Sequence, residues 1–350
     1  MTTKRTNGAG NHHALQLLTF LAQKGDGISP LLILAHDFPD PDALATAWGL
    51  QVLARDFGID SRIVYGGLIT RAENRAMMKL LKLPAHRLRD GELKKAKHVA
   101  LVDTQPRFEN NPFPAGRRAT IVIDQHRTDE AVAADLAIVD PTCGATCVIV
   151  AQALLLQRSE IPSPLATALA YGIISDTLDL YRVERDDVVH TYLRILRRAD
   201  MRALAQIQNP QRSRHFFTIL SRGLQAAAVY RRVIVAHLGA VSSPEDVAHV
   251  ADFLLTYDRA DWSFCTGRLR GSLCLSLRSE VPGAQAGEVL RRVVDDRDDA
   301  GGHGGVAGGR VSLRGHDVED EWKQLERNLQ ERLAHELGLP GRADFRRAFS

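Results

Sequence analysis

The sequence predicts an α/β protein: an N-terminal doubly wound, mostly parallel sheet with a helical extension, followed by a smaller mixed α/β domain. Three observations carry that prediction. Short apolar runs alternate with helix-period segments up to about residue 140, the pattern of strands joined by crossover helices. From about residue 144 to 225 the periodicity turns mostly helical. Beyond residue 230 strand-like alternation returns, with a turn of the hairpin kind.

The elements follow in order. Leu31-Leu32-Ile33-Leu34-Ala35 is apolar without interruption, as in a strand buried on both faces. Residues 42–57 read as the helix after it, and 62–65 as the next strand. A helix over 71–83 leads to a third strand at 98–102, a fourth at 120–123 and a short fifth at 136–139. Helices are expected at 145–157, 164–175, 187–199 and 213–227. In the second half, 230–237 is a strand and 244–255 a helix with Ser243 as its N-cap. Residues 262–268 and 272–277 alternate as an antiparallel hairpin turned near Arg270-Gly271. A helix at 287–295, a glycine-rich loop at 301–309, a strand at 310–313 and a polar helix at 318–336 complete the pattern. The ends, 1–11 and 341–350, read as frayed.

A chain of 350 residues exceeds one ordinary core. Domains are placed at 12–208 and 214–340, with a linker near 208–213. A formal charge of +3 argues against a large non-specific nucleic-acid binder, while leaving room for a local basic site. Cys143, Cys147, Cys265 and Cys274 make no CxxC pair, so they read as packing residues rather than a zinc site. The polar start and the lack of any apolar run near the ~18–20 residues that span a bilayer lead to an expectation of cytoplasmic residence without membrane contact.

The chemistry is concentrated at the carboxyl ends of the strands, where open α/β sheets bind ligands. His36, Asp40 and Asp42 follow the first strand, Asp103 the third, and Asp124-Gln125-His126 the fourth; Asp176 closes Ile173-Ile174-Ser175-Asp176 at a helix end. One such aspartate is often only a helix cap, and Asp42 taken alone reads that way. Repetition at four element ends is harder to ascribe to capping. Carboxylates crowded together raise one another's pKa, and divalent cations relieve the conflict. Oxygen-rich sets with a histidine suit manganese or magnesium better than zinc. Two such ions about 3.5–4 Å apart clamp a phosphate, and Asp103 is placed to bridge them.

These residues resemble the motifs of the DHH phosphoesterase superfamily, whose relatives include RecJ-like exonucleases, NrnA-like oligoribonucleases and family II inorganic pyrophosphatases. The first motif is His36, Asp40 and Asp42 with Ala43-Leu44-Ala45; the second is Asp103 in Val102-Asp103-Thr104. The third is Asp124-Gln125-His126, and the fourth Gly172-Ile173-Ile174-Ser175-Asp176-Thr177. The resemblance implies one metal on His36, Asp40 and Asp103, and another on Asp42, Asp103 and Asp176. It makes the third motif the catalytic one, with His126 facing the substrate phosphate. Gln125 departs from the family histidine that completes the second site, and its amide oxygen is a weaker, uncharged ligand. The second metal is then expected to bind more weakly, or with His126 in place of Gln125.

The later residues resemble the DHH-associated substrate-binding domain. Ser276-Leu277-Arg278-Ser279 resembles its phosphate-contacting strand, and Ala300-Gly301-Gly302-His303 its glycine-rich loop. Substrate contacts are therefore expected from Ser276, Arg278, Gly301, Gly302, His303 and Gly304. Successive backbone N–H groups in such a loop bind anions, and an arginine grips phosphate bidentately.

The implied function is a phosphoesterase dependent on Mn²⁺ or Mg²⁺, with two ions per chain. Its substrates would be short oligoribonucleotides, linear dinucleotides or 3′-phosphoadenosine 5′-phosphate, hydrolysed by metal-activated water. The alternatives are a hydrolase of inorganic pyrophosphate or cyclic dinucleotides, and a nucleotide-binding regulatory protein weakened in catalysis at Gln125. A homodimer through the middle helices is left open.

Overall fold

The computed structural model describes residues 9–69, 71–114, 116–128, 130–312, 319–339 and 344–349. The chain divides into two compact units, Met1–Gln211 and Arg212–Ser350. Among the described residues no helix is long and apolar enough to cross a membrane.

The first unit runs α1 (Ala9–Lys24), β1 (Leu31–Ala35), α2 (Pro41–Asp56), β2 (Ser61–Tyr65), α3 (Ala72–Leu81), β3 (Ala85–Arg87) and α4 (Glu92–Lys95). It continues through β4 (His98–Val102), β5 (Ala119–Asp124), β6 (Ala134–Val139), α5 (Thr146–Gln157), α6 (Ser163–Asp176), α7 (Asp186–Leu196) and α8 (Met201–Gln208). Its six strands form one parallel sheet in the order β3-β2-β1-β4-β5-β6. The uninterrupted apolar run explains why β1 is central. Leu31, Ile33 and Ala35 enter the core that holds the helices, while Leu32 and Leu34 pack on the other face with Leu93 and Phe113. Helices α5 and α6 are apolar nearly all round and buried to match. The chain runs outward from β1 to β2 and β3, then returns to the other side of β1 with β4. That reversal opens a crevice at the carboxyl ends of β1 and β4.

The second unit holds α9 (Arg214–Ala226), β7 (Ala228–Tyr230), β8 (Val233–Ala240), α10 (Pro244–Leu255), β9 (Trp262–Leu269) and β10 (Ser272–Ser279). After these come α11 (Ala286–Val293), β11 (Ala300–His303), β12 (Val306–Ser312), α12 (Glu319–Glu336) and β13 (Arg346–Arg347). Its mixed sheet has the order β11-β12-β10-β9-β8-β7-β13. Among the described residues only β8 and β9 pair in parallel within it. Ser243 closes a capping box with Asp246 at the start of α10.

Four expectations differ from the structure. The helix expected over 187–199 ends at Leu196, and a further helix, α8, follows from Met201, started by Asp200, which accepts N–H bonds from Arg202 and Ala203. Residues 230–237 contain two strands, turned through Arg231 at φ 52°. The glycine-rich segment is an antiparallel hairpin of β11 and β12, so most of it is ladder rather than open loop. Helix α1 was not foreseen, although Ala14, Leu17 and Leu21 bury one face. Leu313 and Val318, the expected limits of a strand and a helix, lie outside the described residues, as do parts of both expected frayed ends.

Candidate metal centre

The loop after β1 places the first ligands. His36 Nδ1 donates to the Asp37 carbonyl at 2.7 Å, which leaves Nε2 as the ring's coordinating atom. That Nε2 lies 3.4 Å from Asp103 Oδ2 and 4.0 Å from Asp40 Oδ1. Asp40, not Asp42, is the N-cap of α2: its Oδ1 accepts the Ala43 N–H at 2.9 Å, with Pro41 in the first turn. The cap therefore fixes a candidate ligand as well as the helix start.

Asp103 follows β4 at φ 56°, a conformation unusual for a side-chain-bearing residue. Its N–H donates to the Ile123 carbonyl, and its Oδ1 accepts from Thr146 Oγ1 at 2.7 Å. These bonds hold a buried carboxylate against the carboxyl end of β5. Asp124 ends β5 fully buried, accepting from His126 Nδ1 at 2.8 Å and from Gln105 Nε2 at 2.7 Å. Gln105 also donates to the His126 carbonyl. The Gln105 loop is held in turn by Asn111, which donates to Thr104 and to the Gln105 carbonyl. The Asp37 N–H donates to the Asn110 carbonyl, tying the two motif loops together.

The charges form one coupled group. Burial opposes a charge on His36, but its hydrogen bond to Asp103 and the nearby Asp40 raise its pKa to about 9. The hydrogen bond to Asp124 raises that of His126 to about 9 against burial. Burial, then the charges of Asp40 and Asp103, push Asp176 up to about 7. Burial also raises Asp103, and raises Asp42 well above the carboxylate range. The protons on the histidines offset carboxylates that repel one another. A cation held by His36 must displace its proton.

Donor chemistry tests the fit of a metal. His36, Asp40 and Asp103 bring three ligand atoms within 4.8 Å of one another, as do Asp103, Asp124 and His126. The first set fits a divalent cation, with an imidazole lone pair facing two carboxylates. In the second set His126 Nδ1 is already joined to Asp124 by a proton. Asp42 and Asp176 form no such grouping among the described residues. Gln125 Nε2 instead donates to both, to Asp42 Oδ2 at 3.3 Å and to Asp176 Oδ2.

The second unit places its candidate residues differently from a simple open phosphate grip. Arg278 is buried; its Nε donates to Asp252 at 2.5 Å and its Nη1 to the carbonyls of Leu277 and Ala307. Ser276 Oγ is buried without a hydrogen-bond partner among the described residues. Gly302 and Gly304 are exposed and Gly301 is half-buried, all on the hairpin; the His303 side chain lies outside the described residues. Sequence reasoning missed Gln105 and Thr146. Gln105 stands two residues after Asp103, but a lone glutamine in a loop carries no pattern. Thr146 lies 43 residues from its partner.

A histidine and clustered carboxylates thus stand together at the switch point of a parallel α/β sheet, a donor set that could hold a metal ion. Residues 30–173 match the DHH family, N-terminal domain. The chain is 32% identical over 289 residues to an uncharacterized protein of Methanocaldococcus jannaschii, covering 81% of this chain and 58% of that protein. The chain thus spans little more than half the length of that relative. A crystal structure of an exopolyphosphatase-related protein from Bacteroides fragilis matches with a TM-score of 0.70 at 16% identity, over 93% of this chain and 98% of the other. That likeness shows a shared fold.

Proposed function

We propose that this protein is a metal-dependent phosphoesterase that hydrolyses short oligoribonucleotides, linear dinucleotides or 3′-phosphoadenosine 5′-phosphate. The convergence of His36, Asp40 and Asp103 at the switch point carries this reading. These three residues would hold Mn²⁺ or Mg²⁺. When bound there, the ion supplies Lewis acidity to a phosphoryl oxygen and lowers the pKa of a nucleophilic water. Asp124 holds His126 by Nδ1, which leaves Nε2 as the donor for substrate. A cationic His126 stabilises charge on the transferring phosphoryl group and protonates the leaving oxygen. Gln105 fixes Asp124 and the His126 carbonyl, and so positions the ring.

Beside this group lies a cavity of about 490 Å³ lined by residues that include Gln105, Arg107, Phe108 and Thr128. Its size is that of a small-ligand site, which supports a short substrate. In the second unit, Ser276, Arg278, the Gly301-Gly302 backbone, His303 and Gly304 are assigned to substrate binding, with Arg278 acting through its bonded framework rather than as a free clamp.

The test is turnover of a labelled dinucleotide with Mn²⁺ by the wild type and Asp103→Asn. The variant is expected to lose at least a hundredfold in rate, on the order of one removed charge-stabilising group. Wild-type turnover by a folded Asp103→Asn protein would refute the mechanism. A panel that includes inorganic pyrophosphate and cyclic dinucleotides separates the alternative hydrolases by product.

A further inference from the structure

The corner formed by Asp42, Gln125 and Asp176 has a bonding pattern of its own. Asp42 is fully buried, and both its oxygens already accept backbone N–H groups: Oδ1 from Cys147 at 2.8 Å and Oδ2 from Thr146 at 2.7 Å. Those are the first amides of α5, the positive end of the helix dipole. Both oxygens of Asp42 are therefore already bonded within the protein itself. Gln125 Nε2 then donates to Asp42 Oδ2 and to Asp176 Oδ2. Both Oδ2 atoms are acceptors here, so the NH₂ end of the amide is the end that faces them. An NH₂ group has two hydrogens, and here each goes to a different carboxylate.

This arrangement excludes an ion by occupation as well as by chemistry. A divalent cation shared by these carboxylates needs their oxygens at about 2.0–2.6 Å, in the space that the amide nitrogen bridges. The amide nitrogen has no lone pair to offer in exchange. Turning the amide over would present its oxygen, but would break both hydrogen bonds for a neutral ligand. At His36 the situation is opposite: a ring nitrogen that can carry a lone pair faces Asp103 and Asp40.

We propose that the chain binds one divalent cation, on His36, Asp40 and Asp103, and that the Gln125 amide bridging Asp42 to Asp176 stands in place of a second. The proposal rests on the reading of His36, Asp40 and Asp103 as a metal site. It assigns Gln125 a positioning role, holding two carboxylates together with hydrogen bonds where a cation would otherwise be needed.

Metal counting tests it without reference to activity. The full chain is equilibrated with Mn²⁺ and the bound ions are counted by elemental analysis; electron paramagnetic resonance then distinguishes isolated from spin-coupled Mn²⁺. The wild type should hold one ion per chain with an isolated-ion spectrum. Gln125→His, which restores a nitrogen lone pair, should hold two and show coupling. Gln125→Glu, close to isosteric with an anionic oxygen, should do the same and keeps the comparison available if the histidine variant does not fold. Either variant reaching two ions supports the proposal. Two ions of similar affinity in the wild type overturn it, wherever the second one sits. So do folded variants that both stay at one, because Gln125 is then not what closes the position. No bound ion in the wild type overturns both this proposal and the metal site beneath it, a result distinct from two.

Discussion

Arg185 is the buried cation on which the segment between β6 and α7 converges. Its Nη1 donates to Asp140 Oδ2 at 2.6 Å and to Thr142 Oγ1 at 3.0 Å, while Nε and Nη2 form a fork on Asp187. Removing one partner of a buried pair costs about 3–5 kcal/mol, because the other charge is left unpaired. Arg185→Ala should therefore lower the urea midpoint by a corresponding amount. The pH dependence has a definite sign. Burial pushes Asp140 and Asp187 up, but Thr142 and Arg185 for the first and Arg185 for the second hold them below the usual carboxylate range. A depressed carboxylate stabilises the fold above its unfolded pKa of about 4. The gap between wild type and Arg185→Ala should be full at neutral pH and shrink as the pH falls through that value. A gap that widens in acid would contradict the assignment. At this same scale, His36, Asp40, Asp103, Asp124 and Asp176 could be singled out in the sequence because each follows a legible strand or helix. What surrounds them was not legible. Asp42 is met by the amides of Thr146 and Cys147, 104 and 105 residues away, and no local periodicity records such a contact.

Helix α11 meets the β11–β12 hairpin at backbone distance. A Cβ on Gly287 would lie 2.3 Å from the Gly302 carbonyl oxygen, and one on Gly302 would lie 2.2 Å from that of Val306. These glycines permit close approach rather than an open loop. In Gly287→Ala two effects oppose each other. Alanine favours the helix by about 1 kcal/mol. Overpacking costs about 1–3 kcal/mol, toward the upper end here because the obstacle is backbone. The variant should thus be less stable, by chemical denaturation, despite its better helix residue; a more stable variant would mean that α11 moves freely from the hairpin. The composition of residues 301–309 was readable, but glycine serves loops and tight ladders alike. Elements with strong local signals were read well: β1 from its unbroken apolar run, and α10 from Ser243 as its N-cap. The break between α7 and α8 has no proline or glycine to mark it, only the cap at Asp200.

Each unit of the molecule has cores of its own. Leu31, Ile33, Leu50, Ile149 and Leu169 belong to the first unit's core; Phe264, Leu275, Leu290 and Leu333 belong to one in the second, and Ile234, Val250 and Leu254 to another. The candidate ligands His36, Asp40 and Asp103 all lie in the first unit. A ligand that binds only the folded state stabilises what it binds by about 2.7 kcal/mol at a hundredfold excess over its Kd. For about 200 residues, each kcal/mol shifts the melting temperature by roughly 2–4 °C. Calorimetry should therefore resolve a transition that rises by roughly 5–10 °C when chelator is replaced by excess Mn²⁺. The heat assigned to the second unit should keep its temperature, and in Asp103→Asn neither transition should move. A shift of equal size in that variant would place the stabilising ion elsewhere. A joint shift of both transitions would mean that the units unfold together, so that metal held at the end of β1 also steadies the glycine hairpin of β11 and β12.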